Sequence, residues 1–303
     1  MSLKPPLNRV SDFDIRLLRV FKTVVEAGSF SAAESSLGIS RSAISLHMGD
    51  LEKRIGLRLC QRGRAGFALT DEGREVLRAI EALLASIESF RSEVNEMHRQ
   101  LRGDLNIGVV NNLVTLPRIR ITQALKAVRA ESAGVRINIS MSTPSDIERG
   151  VLDGRLHVGA VPLITPLSGL EYKPLYEERS YLYCSNEHPL FDRAGSVTDE
   201  QLQCADAVVP SYRMTAEAVA LHQLLNSAAT ATDREGSAFL ILTGSFIGFL
   251  PDHYAAKWVS KGLMAPLNPE RFWFETTIAS VTRKGRRPHL ILQRFLDSLD
   301  QTQ

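Results

Sequence analysis

Residues 29–66, SFSAAESSLGISRSAISLHMGDLEKRIGLRLCQRGRAG, constrain the fold more than any other stretch of the chain. They predict two short helices around a tight turn, followed by a basic hairpin. Ser31, with Glu34 three residues on, has the spacing of a capping box at the start of the first helix. Ala32 and Ala33 are small enough to let another helix approach closely. Gly38 can take the left-handed conformation that ends a helix, and Ile39 is the apolar residue inside the turn. Ser40 then caps a second helix running to about Ile55, where Gly56 supplies the next stop. Ala43, Ile44, Met48, Leu51 and Ile55 keep to its buried side. Arg41, Ser42 and Ser45 are left near its exposed N-terminal end, where a recognition helix meets base edges.

Helical hairpins of this length also occur in ordinary cores, so the flanking sequence matters. Leu57–Thr70 alternates into a short two-stranded ribbon with Gly63 and Gly66 at its tip and Arg62 and Arg64 beside them. A basic hairpin after a recognition helix is a wing placed to touch phosphates. Charge points the same way. Residues 1–70 carry 11 Lys and Arg against 6 Asp and Glu, a net +5, while the remainder carries 25 against 28, a net −3. A near-neutral chain thus conceals a basic head, as phosphate binding requires.

These residues resemble the LysR-type transcriptional regulators. The matching positions are Phe21, the run Glu26–Glu34, Leu37, the run Ser40–Ser45, Leu51-Glu52, Ile55–Leu59, Arg62, Leu69-Thr70 and Gly73, without a gap. Departures are Arg41 where the family usually has Gln, Leu46 where a basic or polar residue is frequent, and Cys60 in place of Phe. The resemblance implies a winged helix-turn-helix over 12–70 (the helix-turn-helix itself at 29–48), with double-stranded promoter DNA as partner. Ser31, Arg41, Ser42, Ser45, Arg62 and Arg64 are the expected DNA-binding residues.

Thr70 should cap a long helix opening with Asp71 and Glu72, favourable at a positive helix end. It should run to about Leu101, as a linker over 71–102. Val76, Ile80, Leu83, Ile87, Phe90, Val94, Met97 and Leu101 recur at alternating spacings of 4 and 3. Such a narrow heptad seam predicts a coiled coil between two chains. The family pairs chains through this helix, and it usually builds tetramers from two such dimers.

From Gly103 the pattern changes to strand, helix, strand, helix, strand: Asp104–Val110, a helix near Pro117 reaching Glu131, Val135–Met141, Ser145–Asp153 and Val158–Val161. That order predicts a parallel sheet covered by helices. Beyond Pro166, strands are expected near Glu171–Leu175, Ser180–Ser185, Ala207–Val209, Phe246–Phe249 and Phe274–Thr282. Helices are expected at Thr198–Leu202, Thr215–Asn226, Ser237–Leu242, Asp252–Ser260 and Leu290–Leu299. The family resemblance, weaker here, implies a two-lobed, periplasmic-binding-protein-like effector domain over 103–303. Lobe I would be 103–165 plus 268–303, and lobe II 166–267. The fold class is then α/β overall: winged helix-turn-helix, coiled-coil linker helix and two-lobed α/β effector domain.

Ligands of open parallel sheets bind beyond the carboxyl ends of strands, near helix N-termini. Asn111, Asn112, Thr143, Ser145, Ser211 and Thr243 lie in polar loops of that kind and are the expected effector-binding residues. Taken singly, each Ser or Thr could only cap a helix; their convergence on one cleft is what favours a site. Free N–H groups there favour a small anion, so a carboxylate metabolite is the expected effector.

Other classes fit less well. The chain has no G-x-S-x-G, no G-x-x-x-x-G-K-[ST] and no G-x-G-x-x-G, so no enzyme is expected. A DNA-architectural protein would leave a large two-lobed domain unexplained. Cys60, Cys184 and Cys204 form no CxxC pair, and the histidines include no HxxxH, so neither a metal nor a cofactor is expected. Small apolar packing is the reading for the cysteines, with a redox switch between Cys184 and Cys204 as the alternative. His157, where the family commonly has Asp, reads as a local hydrogen-bonding residue. The N-terminus lacks a signal-peptide pattern, and the longest uncharged run, Gly236–Pro251, is too short to span a membrane. A cytoplasmic location is expected, with RNA polymerase as a candidate further partner.

Overall fold

A computed structural model of the chain describes residues 10–63, 66–97, 102–117, 120–131, 133–285 and 288–301. They divide into two units, residues 1–88 and 89–303.

In the first unit, local caps set each helix. Helix α1 (Asp12–Ala27) starts at Ser11, whose Oγ accepts from the Asp14 N–H while its own N–H donates to Asp14 Oδ2 at 2.8 Å. Helix α2 (Phe30–Leu37) starts at Ser29, whose Oγ accepts from Ala32 N–H at 3.0 Å. The cap therefore lies two residues before the expected Ser31, which is inside α2 and exposed. Glu34 does not close a box; it accepts from the Arg41 N–H at 2.5 Å, tying α2 to the start of α3 (Arg41–Ile55). Ser40 caps α3 as expected. Gly28, Gly38 and Gly56 each end a helix in the left-handed conformation.

Strands β1 (Cys60–Gly63) and β2 (Gly66–Leu69) pair antiparallel with Cys60 opposite Leu69. Helix α4 (Asp71–Met97) follows, capped by Thr70, whose Oγ1 accepts from Gly73 N–H at 2.9 Å. Gly73 is dictated by space, since a Cβ there would lie 2.0 Å from the Leu59 carbonyl oxygen. The core joins Leu17, Phe21, Val24, Ala33, Ile44, Met48, Leu51, Leu59 and Ile80. Large side chains buried this way stabilise the head by roughly 1.5–3 kcal/mol each. Phe13, at the start of α1, is exposed and lies edge-on to His47.

Ile80 is buried in the core of the head and Val76 packs against it, so these two seam positions are used within the chain. The three-helix core needs a further apolar wall, and the first turns of α4 supply it. Leu83 and Phe90 remain 37% and 67% exposed, with Ile87 and Val94 half-buried between and beyond them. The side chain of Met97 lies outside the described residues, as does the backbone of 98–101.

The second unit is built on one mixed sheet. Its strands are β3 (Gly103–Val109), β4 (Val135–Met141), β5 (Val158–Pro162), β6 (Leu170–Ser185), β7 (Asp206–Pro210), β8 (Asn226–Ala231), β9 (Ile247–Pro251), β10 (Met264–Pro266) and β11 (Trp273–Arg283). Its helices are α5 (Arg120–Glu131), α6 (Pro144–Leu152), α7 (Asp199–Cys204), α8 (Ala216–His222), α9 (Arg234–Leu242), α10 (Asp252–Val259) and α11 (Leu290–Gln301). The strand order is β4-β3-β5-β11-β6-β9-β7-β8, with β10 on β6. β3 is parallel to β4 and β5, and β7 is parallel to β8 and β9, as alternating strands and helices require. Between these parallel sets, β11 runs antiparallel to residues 170–181 of β6.

Two apolar regions follow. One joins β3, β4 and β5 to α5, α6 and α11, and includes Leu170, Leu175 and Tyr176 of β6 and Ile278 and Val281 of β11. The other holds two clusters, one of Leu182, Leu202, Ala207, Ile247, Phe249, Phe272 and Phe274 and one of Tyr183, Val208, Ile241, Leu250 and Tyr254. The long strands thus serve both cores, and the expected lobe limits at 166 and 268 fall just before each of them. The expected strands 171–175 and 180–185 are one strand. The expected helix 215–226 stops at His222, and Asn226–Ala231 is instead β8.

Candidate functional sites: the recognition helix and the interlobe cleft

On α3, Arg41, Ser42 and Ser45 are all exposed, and Ser40 Oγ lies 2.9 Å from Ser42 Oγ. The far end of α3 is fixed to α1: Arg54 Nη2 donates to Asp14 Oδ2 at 2.8 Å. Burial opposes ionisation of Asp14, but the hydrogen bonds from Ser11 and Arg54 outweigh it and hold the carboxyl below its ordinary range. Asp14 and Arg54 were not singled out from sequence, although S-x-x-D before an apolar run is a capping signal. The path from α3 into the wing is held by Glu52, whose Oε1 accepts from Leu59 N–H at 2.9 Å. Arg62 lies on β1, its side chain outside the described residues, as is all of Arg64.

In the second unit, loops from both cores meet in a cleft. A cavity of about 260 Å³ is lined by Asn111 after β3, Met141–Pro144 between β4 and α6, Pro162 of β5, Tyr212 after β7, and Thr232–Arg234 between β8 and α9. A neighbouring cavity of about 210 Å³ shares Thr143, Pro144, Pro162 and Tyr212 and adds Ser145, Glu148, Ser211 and Arg213. An inner chamber of about 50 Å³ shares Pro162, Tyr212, Arg213 and Arg234 and reaches Glu178, His222, Phe249 and Phe274.

Of the expected effector residues, Asn111, Thr143, Ser145 and Ser211 line this cleft. Thr143 is also the N-cap of α6, accepting from Asp146 N–H at 3.3 Å and donating to Asp146 Oδ2 at 2.7 Å. Ser211 Oγ donates to the Ala231 carbonyl at 3.2 Å. Asn112 does not line the cavities; it takes a left-handed backbone and starts the short 3-10 turn Leu113–Thr115. Thr243 is a correction. It sits at the C-terminal end of α9, donating to Leu240 O, and its loop enters β9 at the amino end of that strand. The rule for ligand sites concerns carboxyl ends, so Thr243 is at the wrong end of the helix; Arg234, at the other end, lines the cleft.

Two arginines dominate the electrostatics. Arg234 pairs with Glu178, and its Nη1 donates to the Asn111 carbonyl at 3.2 Å. His253 Nε2 lies 3.3 Å from the other Glu178 oxygen, and its Nδ1 is 2.7 Å from Thr115 Oγ1. Arg213 Nη2 donates to Glu148 Oε2 at 3.1 Å and to Ser145 Oγ at 3.3 Å. Glu148 Oε1 accepts from Tyr172 OH at 2.8 Å; burial, reinforced by this carboxylate, pushes the phenol up to about 12. Burial likewise pushes up the phenol of Tyr212. His222 is buried with Nδ1 2.7 Å from the Ala218 carbonyl, its Nε2 has no partner, and burial lowers its pKa. Glu148, Glu178, Arg234, His222 and His253 were not expected from sequence.

His157 fulfils its local role, its Nδ1 accepting from Asn106 N–H at 3.1 Å. Cys184 is buried, its thiol pushed up to about 12 by burial, whereas Cys204 is exposed and does not pack as expected. Among the described residues, no cluster could hold a metal ion, and no helix is long and apolar enough to cross a membrane.

Comparison with known proteins agrees with both halves. Residues 15–74 match the bacterial regulatory helix-turn-helix protein family of lysR type, and residues 98–303 match the LysR substrate binding domain. The chain belongs to the LysR family. It is a DNA-binding transcriptional regulator with a substrate-binding domain, and not an enzyme. It is 67% identical over 299 residues to the HTH-type transcriptional activator BauR of Pseudomonas aeruginosa, covering 98% of each chain. Its fold is similar to that of full-length CbnR complexed with target DNA, at TM-score 0.68 and 21% identity over 95% of this chain and 99% of that one. It is also similar to full-length LysG of Corynebacterium glutamicum with bound effector Arg, at TM-score 0.50 and 17% identity over 95% and 97%.

Proposed function

We propose that α3 reads an operator through Arg41, Ser42 and Ser45, with Arg62 and Arg64 of the wing on phosphates, and that a small carboxylate effector in the interlobe cleft controls the outcome. The observation that carries the effector reading is convergence. Loops at the carboxyl ends of β3, β4, β5, β7 and β8 meet at one set of cavities, beside Arg213 and Arg234. Both arginines are paired, but Arg234 is withdrawn with Glu178 whereas Arg213, paired with Glu148, is half-exposed at the mouth and keeps guanidinium surface for an anion. A ligand bridging the lobes selects one lobe angle by its differential affinity for the two states. The exposed seam residues Leu83 and Phe90, with half-buried Ile87 and Val94, support pairing of α4 with a second copy; the family's tetramer would join two such pairs. Likeness to an activator supports positive control in the cytoplasm, with RNA polymerase as the further partner.

The test is a thermal-shift screen of carboxylate metabolites against the full chain, followed by Thr143→Val on each hit. Valine keeps the shape and removes the hydroxyl. The reading expects weaker effector binding with operator affinity intact. An unchanged response in Thr143→Val, Ser145→Ala and Ser211→Ala alike would place the ligand elsewhere.

A further inference from the structure

Two residues on the exposed side of α3 have no account inside the protein. Leu46 is 62% exposed, on a helix whose Ile44, Met48 and Leu51 are fully buried. Gly49 stands mid-helix with a right-handed backbone, and a Cβ built there would meet nothing within 4 Å. Glycine is a poorer helix former than alanine, so neither packing nor backbone strain explains its presence. Ser42, Ser45, Leu46 and Gly49 fall at i, i+3, i+4 and i+7, one stripe descending from the capped N-terminus of α3.

A leucine side chain has no donor or acceptor, so it cannot read the polar edge of a base. Thymine alone among the bases presents a methyl group in the major groove. We propose that Leu46 packs on the 5-methyl of a thymine in each half-site, and that Gly49, one turn on, lets the DNA approach the bare helix backbone. The inference rests on α3 being the helix that enters the groove. A protein partner fits the stripe less well, because the leucine is flanked by hydroxyls on a head carrying net +5, the surface of a phosphate-bound face. A lone exposed leucine would mean nothing; the coincidence with an unexplained glycine on the same stripe gives it weight.

The test starts from a duplex selected from a randomised library by the full-length protein. Each thymine of the half-sites is then replaced by deoxyuridine, which lacks only the methyl. The wild-type protein should lose about fourfold in affinity at one position per half-site, the equivalent of one buried methyl group. Leu46→Ala should bind the thymine and deoxyuridine duplexes equally. Gly49→Ala should weaken operator binding while melting at the same temperature or higher. The proposal is overturned if no thymine substitution matters to the wild-type protein, or if Leu46→Ala keeps the full discrimination. Arg41→Ala in the same selection separates the underlying premise. Unchanged base preference there removes α3 from the groove altogether, whereas altered preference with an indifferent Leu46 defeats the leucine assignment alone.

Discussion

Arg234→Ala should destabilise the effector domain far more than a surface substitution would. The side chain of Glu178 is 1% exposed and that of Arg234 is 11% exposed, so their pair is withdrawn from water. Removing the guanidinium leaves a buried carboxylate that keeps its contact with His253 but loses its arginine, and takes away the donor to the Asn111 carbonyl. Breaking a buried pair from one side costs roughly 3–5 kcal/mol. The retained His253 contact places the expectation near the lower end, about 3 kcal/mol. For a domain of this size each kcal/mol moves the melting temperature by about 2–4 °C, which gives a loss of roughly 6–12 °C. Calorimetry of the full chain reads it directly. Adding Glu178→Gln should restore a large part of that loss, because a neutral amide is much cheaper to bury than an unpaired carboxylate. A single mutant within about 1 kcal/mol of wild type, or a double mutant no more stable than Arg234→Ala, would refute the reasoning.

The remaining expectations concern each part of the chain. Loss of a wing arginine, Arg62→Ala, should weaken binding almost uniformly across sequences and reduce the salt slope by about one unit, measured by operator titration at several salt concentrations. Ile87→Glu puts a charge between the exposed Leu83 and Phe90, so sedimentation should show monomers or seam-driven aggregates in place of dimers; a dimer of wild-type affinity would exclude the seam as the main interface. Burial lowers the pKa of both His188 and His222 below their ordinary 6.5. The unfolded chain then binds more protons than the folded one below that value, so stability should fall as pH drops through about 6.5, by denaturant unfolding. His222→Phe should flatten part of that slope; an unaltered slope would remove His222 as a contributor.

The head was legible because its signals are local. Serine caps and glycine stops at Gly28, Gly38 and Gly56 act within one turn; the choice of Ser29 over Ser31 and the Asp14–Arg54 pair, whose partners are far apart in sequence, escaped the reading. The cleft was less legible because its partners come from distant segments. Glu178 sits in the run Tyr176-Glu177-Glu178-Arg179, whose charges interrupt the apolar pattern of a buried strand. It is tolerated in the middle of β6 because Arg234, far along the chain, neutralises it. β8 reads NSAATA, too small and polar to announce a strand, yet parallel pairing with β7 fixes it. With β8 unrecognised, the carboxyl-end loop Thr232–Asp233 and the start of α9 at Arg234 were hidden, and Thr243 took their place. The heptad spacing of α4 was correctly periodic, but periodicity does not say which chain fills the seam; Val76 and Ile80 are claimed by the head of their own chain.

The central claim is that a small molecule between the lobes governs this regulator. Amide hydrogen exchange of the full-length protein, with and without a metabolite that raises its melting temperature, tests it most directly. The account predicts new protection in 110–111, 142–145, 211–213 and 232–234, the segments that line the cleft. Protection confined instead to the separate cavity of about 290 Å³ beneath α11, lined by His157, Lys173 and Leu292, would contradict it.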